Sequence, residues 1–188
     1  MTGPLRVVAV VGSLRSPSKT TALVELMLDT LAARTGTEAR LIELHTLGPA
    51  VTGAVEREQA GPEAEEALRA VEEADLVIAA TPVFRGSYTG LFKHFFDLVD
   101  QYGLAAKPVL LAATGGSDRH ALVIDHAMRP LFAFLQAWTA PAGVYLSSGD
   151  FDGTTILNPE VYERVEMAVA DVVPVARALR TARTAAAH

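Results

Sequence analysis

Mostly apolar runs at residues 5–11, 39–44, 76–80, 108–113 and 143–147 alternate with stretches of helical periodicity at 18–33, 62–73, 88–99, 120–138 and 159–180. Apolar strands of this kind are buried on both faces, and consecutive strands joined through helices run parallel. The expected fold class is therefore α/β: a doubly wound, five-stranded parallel sheet in three α/β/α layers. At 188 residues the chain suits one well-buried core, so a single domain over 1–180 is expected, with 181–188 as a flexible C-terminal tail.

Half of the residues are apolar, no tract is of low complexity, and the formal charge is -6. A soluble globular protein is expected, and its acidity disfavours nucleic acid as a partner, since no basic stripe interleaved with aromatics is present. Without cysteine there is no disulfide, thiolate nucleophile, iron–sulfur cluster or thiolate metal site, which leaves only histidine and carboxylates for a metal, and no metal-binding residue is singled out. The first apolar run is short and lacks a basic lead and a small-residue cleavage site, so the chain is expected to be cytoplasmic. The longest uncharged stretch, 130–149, has the length of a membrane span but carries Gln136, Pro141 and Gly143; it reads as a helix end, a turn and a buried strand.

Doubly wound sheets bind ligands beyond the carboxyl ends of their strands, at the point where strand order reverses. Three loops then matter: Gly12 to Thr21, Thr81 to Ser87, and Thr114 to Ser117, all rich in glycine, proline and hydroxyls. The first opens a helix, where backbone N–H groups and the helix dipole attract anions. It has neither the three spaced glycines of a dinucleotide fold nor the Gly-Lys-Ser/Thr ending of a nucleotide-triphosphate loop. Hydroxyls from Ser13, Ser18, Thr20 and Thr21, with the Arg15 guanidinium, instead suit a terminal phosphate monoester such as that of flavin mononucleotide. Ser16 and Ser18 around Pro17 read equally as an ordinary helix cap.

The three loops together resemble the NAD(P)H-dependent FMN reductases of the flavodoxin-like superfamily, especially those that feed reduced flavin to two-component monooxygenases in sulfonate utilisation. The resemblance is carried by Gly12-Ser13-Leu14-Arg15 with Ser18 to Thr21, Thr81-Pro82-Val83-Phe84-Arg85-Gly86-Ser87 with Gly90-Leu91-Phe92-Lys93, Ala113-Thr114-Gly115-Gly116-Ser117, and Val123 to Pro130. It implies a flavodoxin-like fold, an enzyme that passes hydride from NADPH or NADH to FMN, and no acid–base catalytic residue, because the flavin carries the chemistry. Free flavin and a nicotinamide dinucleotide are the implied small-molecule partners, with a flavin-dependent monooxygenase downstream.

By the same resemblance Ser13, Arg15, Ser18, Lys19, Thr20 and Thr21 surround the flavin phosphate. Pro82, Val83, Phe84, Arg85, Gly86 and Ser87 lie along the ribityl chain and ring edge. Thr114, Gly115, Gly116 and Ser117 face the pyrimidine end, where fixed donors stabilise the reduced anion; the two adjacent glycines read also as a plain tight turn. The family commonly has tyrosine where Phe84 stands and often lysine where Arg85 stands. Phe84 keeps the ring for stacking and loses a hydroxyl; Arg85 keeps a charge for a nicotinamide dinucleotide.

Residues 88–99 carry Tyr88, Leu91, Phe92, Phe95, Phe96 and Val99, a stripe too broad for a surface helix and expected to be buried on two sides. In the resembling family this helix lies at a subunit interface, which implies a homodimer or a tetramer built as a dimer of dimers; packing of both faces within one chain is the alternative. Two other readings compete: a flavin-containing quinone, azo or metal-oxyanion reductase, and a non-enzymatic electron carrier. Arg15 and Lys19 in the first loop, and no tryptophan near the three loops, favour the reductase. A serine hydrolase using His120, His126 and Asp125 is disfavoured, since no Gly-x-Ser-x-Gly elbow is present and adjacent helix residues point to different sides.

Overall fold

The computed structural model describes residues 3–186. β1 (Leu5–Val11), β2 (Thr37–Glu43), β3 (Leu76–Pro82) and β4 (Pro108–Gly115) pair in the order β2-β1-β3-β4, all parallel. Order reverses between β1 and β3, which sets the carboxyl ends of β1, β3 and β4 side by side. Residues alternate between faces: Val8 and Val10 join one core, Val7, Ala9 and Val11 the other.

The fifth sheet position is split. β5 (Trp138–Thr139) pairs with the start of β4 and β6 (Val144–Ser147) with its end, so six strands occupy five positions. Pro141 between them has no N–H to donate to a ladder. Trp138, expected to close a helix, is thus a strand residue.

α1 (Lys19–Arg34) and α7 (Pro159–Ala186) pack on the face of Val7, Ala9 and Val11. The opposite face carries the one-turn helices α2 (Leu44–Leu47) and α3 (Pro49–Thr52), then α4 (Pro62–Glu73), α5 (Gly90–Asp97) and α6 (Arg129–Phe134). Most of the segment expected as a tail is helix, since α7 runs on to Ala186 and Arg183 donates to Asp75 at 2.9 Å; residues 187–188 lie outside the described residues.

Two expectations about helices are corrected. The stretch 120–138 is not one helix: a short 3-10 turn, a π-helical turn at Ile124–Met128 and α6 replace it. Pro130, in the first turn of α6, removes an N–H and crowds the preceding turn, which is accommodated by widening that turn. Arg129 fixes the arrangement, pairing with Asp125 at 2.7 Å and donating to the carbonyls of Ala140 (2.8 Å) and Pro141 (2.5 Å). Asp125 is therefore engaged by Arg129 rather than by His126.

α5 spans only Gly90–Asp97, and Phe92, Phe95 and Phe96 are buried within their own chain. Phe96 meets Phe92 and Phe132 at centroid distances of 4.8 and 4.9 Å. The stripe that the resemblance places at a subunit interface is thus largely spent on the core, leaving Tyr88 and Leu91 partly exposed. Among the described residues no helix is long and apolar enough to cross a membrane.

At the opposite end of the sheet Lys107 is buried and donates to the Ala74 carbonyl at 2.5 Å. Burial foremost, with the nearby Arg183 charge, pushes its pKa down to about 8. Between that value and the unfolded value of about 10.4 the unfolded chain binds more protons, so this group's contribution to stability rises with pH across the window. In Lys107→Met that rise is expected to disappear, which denaturant midpoints measured below and above the window will show.

Candidate functional site

The carboxyl ends of β1, β3 and β4 open on a cavity of about 820 Å³. Ser13, Leu14, Arg15, Pro17, Ser18, Lys19 and Thr20 line it from the first loop, Pro82, Val83 and Phe84 from the second, and Thr114, Gly115 and Gly116 from the third. The loop reading of the sequence and the geometry therefore converge on one place.

Ser18 caps α1, its hydroxyl accepting from the Thr20 and Thr21 N–H groups at 3.1 and 3.3 Å and sharing a short hydrogen bond with the buried Ser13 hydroxyl. The cap and the loop are thus the same structure. Among the described residues the backbone N–H groups of Ser13, Leu14, Arg15, Ser16, Ser18 and Lys19 donate to no protein acceptor. So many unpaired donors at the positive end of a 16-residue helix form a cradle for an anion. Arg15 is exposed and makes no ion pair among the described residues, whereas Lys19 lies over the Phe151 ring at 5.3 Å.

The loops are locked to one another. Thr20 and Thr114 share a buried hydroxyl hydrogen bond of 2.7 Å, tying the first loop to the third, and the Val83 N–H donates to the Thr114 carbonyl at 2.7 Å, tying the second to the third. Thr89 joins the first to the second: its hydroxyl donates to the Gly12 carbonyl at 2.8 Å and accepts from Phe92 N–H at 3.2 Å, and its N–H donates to Thr81 at 3.2 Å. A Cβ on Gly12 would stand 2.8 Å from the Cβ of Phe92, so α5 can approach the first loop only where that residue is glycine.

Several expected residues do not line the cavity. The Thr21 hydroxyl turns away to Glu43 at 2.8 Å. Arg85 and Gly86, at φ 54° and 83°, form the tip of a tight turn closed by Phe84 N–H to Ser87 O at 2.7 Å. That turn leaves Phe84 51% exposed beside the cavity, with the Arg85 guanidinium 5.8 Å from its ring centroid. The Ser117 carbonyl is taken by Tyr145 at 2.6 Å.

The sequence reading missed Leu14 and Pro17, which lie inside a loop it did single out, and three residues after β6. Ser148, Gly153 and Thr154 also line the cavity. The last two form the tip of a hairpin of β7 (Phe151–Asp152) and β8 (Thr155–Ile156). The carboxyl-end rule covers the loop after the fifth strand as well, and would have found Ser148; strands of two residues carry no periodicity that could announce the hairpin.

A parallel sheet of order 2-1-3-4-5 with its cavity at the strand carboxyl ends defines a flavodoxin-like protein. A WrbA-like flavodoxin from Agrobacterium tumefaciens, 17% identical, shares the fold with a TM-score of 0.65 over 92% of this chain and 98% of its own. Residues 5–152 match the model of the NADPH-dependent FMN reductase family, and the chain belongs to that family. It is 48% identical over 166 residues to an NADH-dependent FMN reductase, SfnF, of Pseudomonas putida, covering 88% of this chain and 89% of the relative. It is 45% identical over 174 residues to an FMN reductase (NADPH) of Pseudomonas aeruginosa, covering 93% and 94%. An oxidoreductase from Corynebacterium diphtheriae, 34% identical, superposes with a TM-score of 0.77 over 91% of this chain and 96% of its own. The chain is thus an NAD(P)H:flavin oxidoreductase that uses FMN with NADPH or NADH.

Proposed function

We propose that FMN occupies the cavity at the carboxyl ends of β1, β3 and β4, and that the reduced flavin formed there leaves to serve a partner monooxygenase. The observation that carries the placement is the run of unpaired N–H groups from Ser13 to Lys19 on the cavity wall. Gly116 supports it: nothing lies within 4 Å of the place a Cβ would take, so a side chain there would enter open space along the wall.

In this reading Ser13, Arg15, Ser18, Lys19 and Thr20 hold the phosphate, while Thr21 supplies a cap N–H and leaves its hydroxyl to Glu43. Pro82, Val83 and Phe84 border the ring, and Thr114, Gly115 and Gly116 meet its pyrimidine end. Arg85, Gly86, Ser87 and Ser117 act by shaping the second and third loops, with Arg85 placed to receive the phosphates of the nicotinamide dinucleotide. The flavin, when bound, supplies the electron-accepting ring to which the nicotinamide passes hydride. The chain's part is position and electrostatics, and no side chain need move a proton in that step.

The partner reading is supported by the resemblance of all three loops to reductases of two-component monooxygenases, and is tested by separating the proteins. With this reductase, NADH or NADPH and FMN on one side of a dialysis membrane and an FMN-dependent monooxygenase on the other, oxygenated product is expected across the membrane. NAD(P)H oxidation without product would mean that reduced flavin stays bound, as in a quinone, azo or metal-oxyanion reductase.

We also propose that the chain forms a homodimer, or a dimer of dimers, through the surface beside α5 and α6. A groove of about 740 Å³ there is bordered by Tyr88, Leu131, Phe134 and His126, and Phe134 is 69% exposed. A cytoplasmic location accords with the absence of cysteine.

A further inference from the structure

We infer that Tyr145 is a positioning residue for the third loop: it fixes the peptide planes of Gly115 to Ser117 so that the Gly116 N–H is presented to the flavin. This rests on the placement of FMN proposed above. Tyr145 stands opposite Ala113 in the register of β6 on β4, and Gly115, two residues further on, shares that face. The ring leans along the strand until its hydroxyl touches Gly115: a Cβ at Gly115 would stand 2.2 Å from Oη and 3.1 Å from Cζ. Neither Gly115 nor Gly116 has a positive φ, so the glycine at 115 is explained by the tyrosine and not by a turn.

Of the four carbonyls in the loop, those of Thr114, Gly115 and Ser117 are held from behind. The Thr114 carbonyl accepts from Val83 at 2.7 Å, the Gly115 carbonyl from the Ser148 hydroxyl at 3.4 Å, and the Ser117 carbonyl from Tyr145 Oη at 2.6 Å and from the His120 N–H at 3.3 Å. A peptide plane is rigid, with N–H opposed to C=O. Holding the Gly115 carbonyl toward β6 therefore turns the Gly116 N–H the other way, and it has no protein acceptor among the described residues. The 3.4 Å contact from Ser148 is weak, and the pairing of Gly115 with Ser147 is the last of the β4–β6 ladder. The Tyr145 ring against Gly115 and its bond at Ser117, the shorter of the two that this carbonyl accepts, therefore reinforce the plane where the strand ends. Burial foremost, then the charges of Asp118 and Asp150, raises the pKa of the Tyr145 hydroxyl and keeps it a donor.

Tyr145→Phe is expected to weaken FMN about fivefold, the worth of one ordinary hydrogen bond, and to lower the midpoint potential of bound FMN, since a less fixed donor favours the reduced anion less. Both are read without turnover, by fluorescence titration and spectroelectrochemistry, on protein whose thermal midpoint is checked. Gly115→Ala supplies an independent reading: it is expected to impair FMN binding strongly, and Tyr145→Phe in the same chain is expected to restore part of it, because the colliding atom is the hydroxyl. Unchanged affinity and potential in Tyr145→Phe, or losses in the double variant that merely add, would overturn the inference. If Arg15→Ala also left FMN affinity intact, the placement of the flavin itself would be at fault, so the two failures are told apart.

Discussion

Arg15→Ala is expected to raise the dissociation constant of FMN at least tenfold while changing that of riboflavin little. Arg15 lines the cavity, is exposed, and has no protein partner among the described residues, so its guanidinium is held in place by nothing the chain provides. A hydrogen bond to a charged group contributes about 1.5–3 kcal/mol, and solvent at an exposed site keeps the value near the lower end, which is the tenfold figure. Riboflavin lacks the phosphate and would keep its contacts with Pro82, Val83, Phe84 and Gly116. Fluorescence-quenching titrations with the two flavins measure the contrast. Equal losses would mean that Arg15 acts on the ring or on the fold, and no loss would move the phosphate elsewhere. Lys19 is a useful comparison, since its position over Phe151 already gives it a partner and limits its freedom to reorient.

How far the site was legible depends on what kind of residue builds each part. Strands β1, β3 and β4 are buried on both faces, so their apolar runs stand out, and the loops at their ends are dense in glycine, proline and hydroxyls. From these, the cavity wall on three sides could be read directly. Thr21 and Thr20 are neighbours of the same type, and only the fold decides that one hydroxyl turns to Glu43 and the other to Thr114. Thr89 looks like an ordinary cap before α5; its bond to the Gly12 carbonyl spans 77 residues and has no local signature. The split fifth strand was hidden by composition, because the apolar residues of α6 and β5 run together and Pro130 breaks the helical hydrogen bonding without breaking the hydrophobic pattern. Tyr145 reads as one more core residue of a strand until the register sets it against Gly115.

Phe96→Asp is expected to unfold the chain rather than to dissociate an assembly. Phe96 is buried against Phe92, Phe95 and Phe132, so the substitution removes an aromatic ring, at a cost of about 3–5 kcal/mol, and adds a buried carboxylate without a partner. A loss of about 5 kcal/mol is comparable to the whole stability of many domains, and at about 2–4 °C per kcal/mol for a chain of this size it lowers the thermal midpoint by about 10–20 °C. Phe134→Asp separates the two questions. At 69% exposed, Phe134 contributes little to the single chain, so its thermal midpoint as a monomer is expected to stay close to that of the wild type. If the groove beside α5 and α6 meets a second copy, the new charge must be buried there unpaired, and light scattering is expected to show a smaller particle than the wild type. A wild type that is monomeric in light scattering would refute the shared surface outright. A Phe134→Asp variant of unchanged size would place the contact on another face, and a Phe96→Asp variant that stays folded while losing its partner would restore α5 itself to the interface.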